Sequence, residues 1–364
     1  MRKDQFLVSF DTCSQIDWQV AICHDNVTVF RIILGLWICR TYRSRGSTVR
    51  ANIRLGFLIM LISPIAAGHV VAAPITLSSW TPQYEGIDQA RAALSSSVAY
   101  IDRVDLSAPG IGFTTTPQSG PLATTAQTTS QFLQSSGTQV TINANFFAPC
   151  CNAAPEAKSL IGLEVSNGAV VSSQAFGSAD AAASLLLSRS NQATIVAPAT
   201  SPLDLSNTFN AVSGNIILTD GVDTSSVTPT GAPHDPFGLD PRTAVGLSQD
   251  GRYLYLVVVD GRQPGYSTGV TTSDEANLLL SIGAYQGLNL DGGGSTVLVQ
   301  SEAGTSVAID QPSGGIERYD GNNFGVYAGA LPVPEPGTVI IMATGIAGLL
   351  IRRRRLRWPE PRSL

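Results

Sequence analysis

Charge is spread so unevenly along these 364 residues that it marks off the part able to fold as a body. Residues 1–73 carry eight Lys/Arg against four Asp/Glu, and residues 333–364 carry six arginines against two glutamates. Between them, residues 74–332 carry eight Lys/Arg against 21 Asp/Glu. An acidic, apolar-rich body between two basic ends is the composition of a globular domain with targeting segments. Such a body repels phosphate backbones, so no nucleic-acid partner is expected.

Both ends read as addresses rather than fold. Arg50 and Arg54 precede an apolar run, Leu55 to Ala67, and then Gly68-His69-Val70-Val71-Ala72-Ala73. A basic start, an apolar stretch and small residues at the cut make a secretory signal over 50–73, cleaved after Ala72. Residues 1–49 precede it and read as an over-extended translation start. At the other end, Val333-Pro334-Glu335-Pro336-Gly337 leads into apolar Thr338 to Ile351 and then Arg352-Arg353-Arg354-Arg355. The arginines would stay on the cytoplasmic side while the apolar segment holds the domain to the membrane. This three-part pattern over 333–364 resembles the PEP-CTERM sorting signal of Gram-negative bacteria that make extracellular polysaccharide. The resemblance implies processing by an exosortase-type enzyme, membrane attachment through the C-terminal segment before processing, and a place in the envelope, on the cell surface or in the extracellular matrix.

The body, 74–332, alternates strand-like and helix-like stretches. Residues 98–106 alternate apolar and polar positions, 139–143 make a short strand, and 253–260 make the strongest strand, rich in β-branched and aromatic residues. Residues 124–134 and the Ala/Leu-rich 181–188 read as helices, and Ser273 as the cap of a third, with Asp274 and Glu275 in its first turn. The expected fold is α+β, a single catalytic domain with a mixed β-sheet core and a few helices. Of five cysteines only adjacent Cys150 and Cys151 fall in the body. They can form a vicinal disulfide, stay free or pair between chains. With His234 the one histidine of the body, no metal site and no cofactor are expected.

Four clusters carry chemistry. Asn143-Ala144-Asn145-Phe146-Phe147 ends a strand in two amides. Asp240-Pro241-Arg242-Thr243-Ala244-Val245-Gly246 puts an arginine at a strand entrance, where it can fork onto a phosphate. Val259-Asp260-Gly261-Arg262 ends the strongest strand, with Glu275 following. Asn289-Leu290-Asp291-Gly292-Gly293-Gly294-Ser295 sets a carboxylate before three glycines, whose amides can cradle an anion. It lacks the Gly-Lys-Ser/Thr of a nucleotide-binding loop. Arginines for a phosphate and paired carboxylates for acid–base work suit a glycosyl phosphodiester.

These pieces, NANFF, PRTAVG, VDGR, TTSDEA and LNLDGGGS, stand in an order that resembles the phosphodiester glycosidase family over about residues 98–327. The resemblance implies removal of a sugar from a sugar–phosphate diester. Asn145 departs from it, standing where relatives often have glycine. The expected catalytic residues are Asp291, Asp260 and Glu275. The expected substrate-binding residues are Arg242, Arg262, Asn143, Asn145, Asn289, Gly292, Gly293, Gly294 and Ser295. The expected partner is a glycan or sugar-phosphate substrate in an envelope or exported polysaccharide. The competing readings are a non-catalytic polysaccharide-phosphate binder and a matrix protein.

Overall fold

Burial on both faces explains why residues 253–259 are apolar without a break. A computed structural model describes residues 9–24, 28–45, 48–59, 75–151, 154–174, 182–198, 201–226 and 236–331. In it Tyr253–Val259 is a central strand. Leu254, Leu256 and Val258 enter one apolar core, while Tyr255, Val257 and Val259 enter another on the opposite face. A strand covered on both sides has no polar face to alternate with.

The chain divides into two units, residues 1–72 and 73–364. In the first, Ser9–His24, Thr28–Arg45 and Thr48–Ile59 pair as an antiparallel sheet. The expected signal segment from residue 60 onward, His234, and the expected sorting segment 333–364 lie outside the described residues. Among the described residues no helix is long and apolar enough to cross a membrane.

In the second unit the principal elements are β1 (Ile87–Leu94), β2 (Ser97–Asp105), β3 (Gly112–Thr115), α1 (Thr129–Ser136), β4 (Val140–Asn143), β5 (Glu164–Ser166), β6 (Ala183–Leu187), β7 (Asn210–Thr219), β8 (Arg242–Ser248), β9 (Tyr253–Val259), α2 (Thr272–Ser281), β10 (Ala284–Asn289), β11 (Leu298–Glu302), β12 (Thr305–Ala308) and β13 (Asn323–Tyr327). The larger sheet runs β5-β7-β10-β8-β9-β2-β1, with β6 also on β7; the smaller runs β12-β11-β4-β13-β3. One core lies between the sheets, where Ile87, Val104, Val245, Leu256 and Leu288 meet Phe113, Ile142, Leu298 and Phe324. Helix α2 covers the other face of the larger sheet, packing Ala276, Leu278 and Leu279 against Ile101, Ala244 and Val257. Helix α1 places Leu133 against Val297 and Val299.

This architecture corrects the expected fold. It is β-rich rather than α+β, with two α-helices among the described residues, and the sheets are antiparallel rather than mixed. The Ala/Leu-rich stretch expected to be helical is β6. Ala183, Leu185 and Leu187 all enter the inter-sheet core, and Ser184 Oγ pairs with Ser213 Oγ of β7 at 2.8 Å. Every second side chain enters the inter-sheet core and the strand pairs with β7, and this overrides an intrinsic helix preference. The two helices that do form have reciprocal caps. Thr128 and Gln131 cap α1, which starts later than expected and ends at Gly137 in the left-handed region (φ 74°). Thr271, not Ser273, caps α2 together with Asp274.

Candidate active site

The antiparallel pairing brings the chemical clusters to one edge. Strand β8 starts where β9 ends, because Arg242 pairs with Val259, and it runs beside the end of β10, because Ala244 pairs with Asn289. Residues leaving β9 and β10 therefore meet those entering β8. Strand β4 of the other sheet is tied to the same edge by Asn143, which donates Nδ2 to the Asp291 carbonyl at 2.6 Å and accepts at Oδ1 from Thr243 Oγ1 at 2.7 Å.

Here lies a cavity of about 560 Å³ walled by Phe146, Arg242, Arg262, Asp291, the three glycines Gly292 to Gly294, and Arg318, with Asp240, Pro241 and Cys151 completing it. Arg262 leaves β9 in the left-handed region (φ 59°) and reaches back to Asp240, with Nε and Nη2 at 3.0 and 2.9 Å from the same oxygen. Its side chain stays about half exposed (52%), so the guanidinium keeps a face toward the cavity. Arg242 is buried. It donates Nε to the Val270 carbonyl at 3.1 Å and Nη2 to the Gly238 carbonyl at 3.0 Å. Cys150 and Cys151 are joined to each other as a vicinal disulfide at the rim.

Asp291 forms part of the cavity wall. Protein packed around it pushes its carboxyl up to about 6, against the pull of Ser295, the Arg318 charge and the Gly292 amide. That amide donates to Asp291 Oδ1 at 3.0 Å, and the Gly293 amide donates to the Pro241 carbonyl at 2.9 Å. Two of the three glycine amides are thus already bonded within the protein, and the cations that face the cavity are its arginines. A second carboxylate, Asp320, is fully buried, and neither of its oxygens has a partner at conventional hydrogen-bond geometry. Burial raises it well above the usual carboxylate range, and the Asp291 charge raises it further. Ser295 and Arg318 act on both groups in the opposite direction. Arg318 Nη1 donates to Ser295 Oγ at 3.1 Å. The result is a carboxyl pair sharing one hydroxyl and one guanidinium.

Residues 136–327, more than half of the chain, match the family model for phosphodiester glycosidases, and every wall of the cavity lies inside that span. The chain belongs to the phosphodiester glycosidase family. Residues 332–355 match the PEP-CTERM protein-sorting motif, a signal for export to the cell envelope or surface. Among solved structures the chain is similar to the zebrafish N-acetylglucosamine-1-phosphodiester alpha-N-acetylglucosaminidase catalytic domain auto-inhibited by pro-peptide, at 16% identity over 72% of this chain and 85% of that one, with a TM-score of 0.46. It is also similar to a hypothetical protein from Synechocystis, at 12% identity over 88% and 81%, again with a TM-score of 0.46. No curated protein matches it.

In this member of the family, only some of the expected residues share the cavity. Arg242, Arg262, Asp291 and Gly292 to Gly294 do, and Ser295 stands behind them through Arg318. The others are set apart. Asn145 is buried, donating to the Ile161 and Leu163 carbonyls and accepting from the Ser213 amide and Asn322 Nδ2, so its polar atoms are consumed in joining β5 and β7. Asn143 is the strut already described. Asn289 is buried with both side-chain polar atoms unpartnered. Asp260 accepts from Tyr266 Oη at 2.7 Å and from the Gln311 amide at 3.1 Å, and burial raises its carboxyl. Glu275 lies beneath Arg242, wholly buried, and burial raises it to about 8 against the pull of the Arg242 charge.

Arg318 and Asp320 were not among the expected residues. Their signal was Glu317-Arg318-Tyr319-Asp320, a charged cluster in a chain with only 13% charged residues. Gly294 tests the importance of Arg318. A Cβ at this position would stand 2.2 Å from Arg318 Nη2 and 2.7 Å from its Cζ. The obstacle is the movable end of a long side chain, so Gly294→Ala displaces Arg318 without breaking the fold. We expect kcat/KM on a sugar phosphodiester to fall by about 10²-fold, with the thermal midpoint nearly unchanged. Full activity in this variant would remove Arg318 from the site.

Proposed function

We propose that this protein is an exported hydrolase that removes a sugar from a sugar–phosphate diester, or a related bond, in an envelope or extracellular polysaccharide. The observation that carries the reading is that Asp291, in the wall of a cavity with Arg242, Arg262 and Arg318, and buried Asp320 behind it act on each other's charge and both feel Ser295 and Arg318.

In this reading the arginines hold the phosphate, with Arg262 and Arg318 presenting guanidinium groups and Arg242 fixed between backbone carbonyls. Like charges in one buried site keep a proton on one carboxyl while the other ionises. Asp320, the more strongly raised, holds that proton. Asp291, ionised above about pH 6, faces the anomeric carbon and stabilises the positive charge that develops there. The bond between C1 and the bridging oxygen breaks, and its electron pair stays on the phosphate, where the arginines meet the new charge. Water supplies a hydroxyl to the sugar, and its proton passes to the ionised carboxylate or the released phosphate. Glu275 acts through Arg242, and Asp260 orders the loop through Tyr266 and Gln311, so neither is assigned to the chemical step. The catalytic body is assigned to residues 74–332. Segment 50–73 directs export, and segment 333–364 holds the protein to the membrane until an exosortase-type enzyme processes it.

Purified protein incubated with chromogenic sugar-1-phosphodiesters tests this. The expected products are free sugar and a phosphomonoester. The rate should fall as pH drops below about 6, where Asp291 takes up a proton. Binding of sugar phosphates with no turnover of any such diester would instead make the protein a non-catalytic binder.

A further inference from the structure

A second cavity, of about 640 Å³, opens beside α1 and differs in chemistry from the first. Among the described residues, no Lys, Arg, His, Asp or Glu lines it. Its walls carry hydroxyls and amides, including those of Thr114, Thr116, Gln127 and Asn167, together with the rings of Tyr319 and Tyr327. Hydroxyls and amides both donate and accept, as sugar hydroxyls do, and aromatic faces pack against the C–H faces of pyranose rings. The volume is within the about 300–1,000 Å³ usual for ligand sites. Charged ligands gain nothing here, because no ionic partner waits for them.

The segment Arg318-Tyr319-Asp320 divides the two cavities. Side chains of an extended segment point alternately to opposite sides. Arg318 is on the catalytic side, bonded to Ser295, and the Asp291 charge acts on Asp320 there. Tyr319, between them, is in the wall of the neutral cavity. The segment is pinned to that cavity's other wall, where the amide of Asp320 donates to the Gln127 carbonyl at 3.1 Å and the amide of Gln127 returns the bond at 3.3 Å. Tyr327, on β13, is held by donation of its hydroxyl to the Ser136 carbonyl at 3.1 Å.

We propose that this cavity binds an uncharged run of the glycan chain whose phosphodiester is cut next door. It would act as a chain-holding subsite that shares a wall with the catalytic pair. The inference rests on the reading that the substrate is a glycan. It predicts that polymer recognition and cleavage of a small diester are separable.

The test uses full-length protein with neutral hexasaccharides (mannohexaose, laminarihexaose and cellohexaose) and an oligogalacturonate hexamer as the charged control, with affinity read by calorimetry. A neutral hexasaccharide should bind, and the charged one should bind at least tenfold more weakly. Tyr319→Ala should weaken the neutral ligand at least tenfold, and Tyr319→Phe should keep it. Thr125→Trp, which puts an indole into the cavity lining, should also weaken it at least tenfold. Cleavage of a small chromogenic sugar phosphodiester should stay within twofold in Thr125→Trp and Tyr319→Phe. The proposal is overturned if no neutral hexasaccharide binds, if the charged hexamer binds as well, or if binding survives both Tyr319→Ala and Thr125→Trp. If the wild type binds the neutral ligand as described but cleaves no diester, the hydrolase reading fails and this site stands.

Discussion

Asp291→Asn lowers turnover of a chromogenic sugar phosphodiester by about 10³-fold, within the range for loss of a positioned acid–base group. The reason is local. The Asp291 backbone is fixed by its amide on the Ala144 carbonyl and by Asn143 on its own carbonyl, so the substitution changes charge without moving the loop. Asparagine keeps an oxygen to accept from the Gly292 amide, which now donates to Oδ1 at 3.0 Å. Ligand binding through Arg242, Arg262 and Arg318 therefore persists, and the loss falls on kcat rather than on KM. A variant retaining more than a tenth of wild-type turnover would take Asp291 out of the chemical step.

The second large effect concerns stability. Burial raises Asp102 to about 6, although Gln300 and Gln89 donate to it, and raises Glu164, Glu275 and Asp310 to about 8. Unfolded, these groups ionise near pH 4. Between about pH 4 and 8 the folded protein binds more protons than the unfolded chain, so stability falls as pH rises across that window. Asp105, lowered by Arg252, acts with the opposite sign and matters only below about pH 4. The thermal midpoint at pH 5 should exceed that at pH 8 by ~5 °C or more. Asp310→Asn keeps an acceptor for the Leu298 amide, bonded at 2.9 Å, and removes one ionisation. It should shrink the difference by raising the midpoint at pH 8. A midpoint that climbs from pH 5 to pH 8 would contradict the assignment of these carboxyls as buried and protonated.

What could be read from sequence was what repeats or what clusters. Strand β9 was legible because seven consecutive apolar or aromatic residues admit few alternatives, and the glycine loop was legible because Asp291 precedes three glycines. Strand direction was not legible, since pairing such as Val245 with both Leu256 and Leu288 is decided far along the chain. Residues 181–188 looked helical because alanine and leucine favour helices; only pairing of 183–187 with the neighbouring β7 makes a strand the better solution. The same blindness affected the site. Asn143 and Asn145 sit at the right edge of the fold but turn their amides inward, and Asp260 is taken by Tyr266. Arg318 and Asp320 lie outside regular elements, so no periodicity announced them, and their contact with Ser295 and Asp291 exists only after both sheets have formed.

In this mechanism a carboxyl pair acts at the anomeric carbon and the arginines keep the phosphate. Hydrolysis of a sugar phosphodiester in ¹⁸O-labelled water, with both products read by mass spectrometry, tests it most directly. Cleavage at carbon places the label in the released sugar at short times and leaves the phosphomonoester unlabelled. Label in the phosphomonoester, with none in the sugar, would mean attack at phosphorus and would exclude a carboxylate acting at the anomeric carbon.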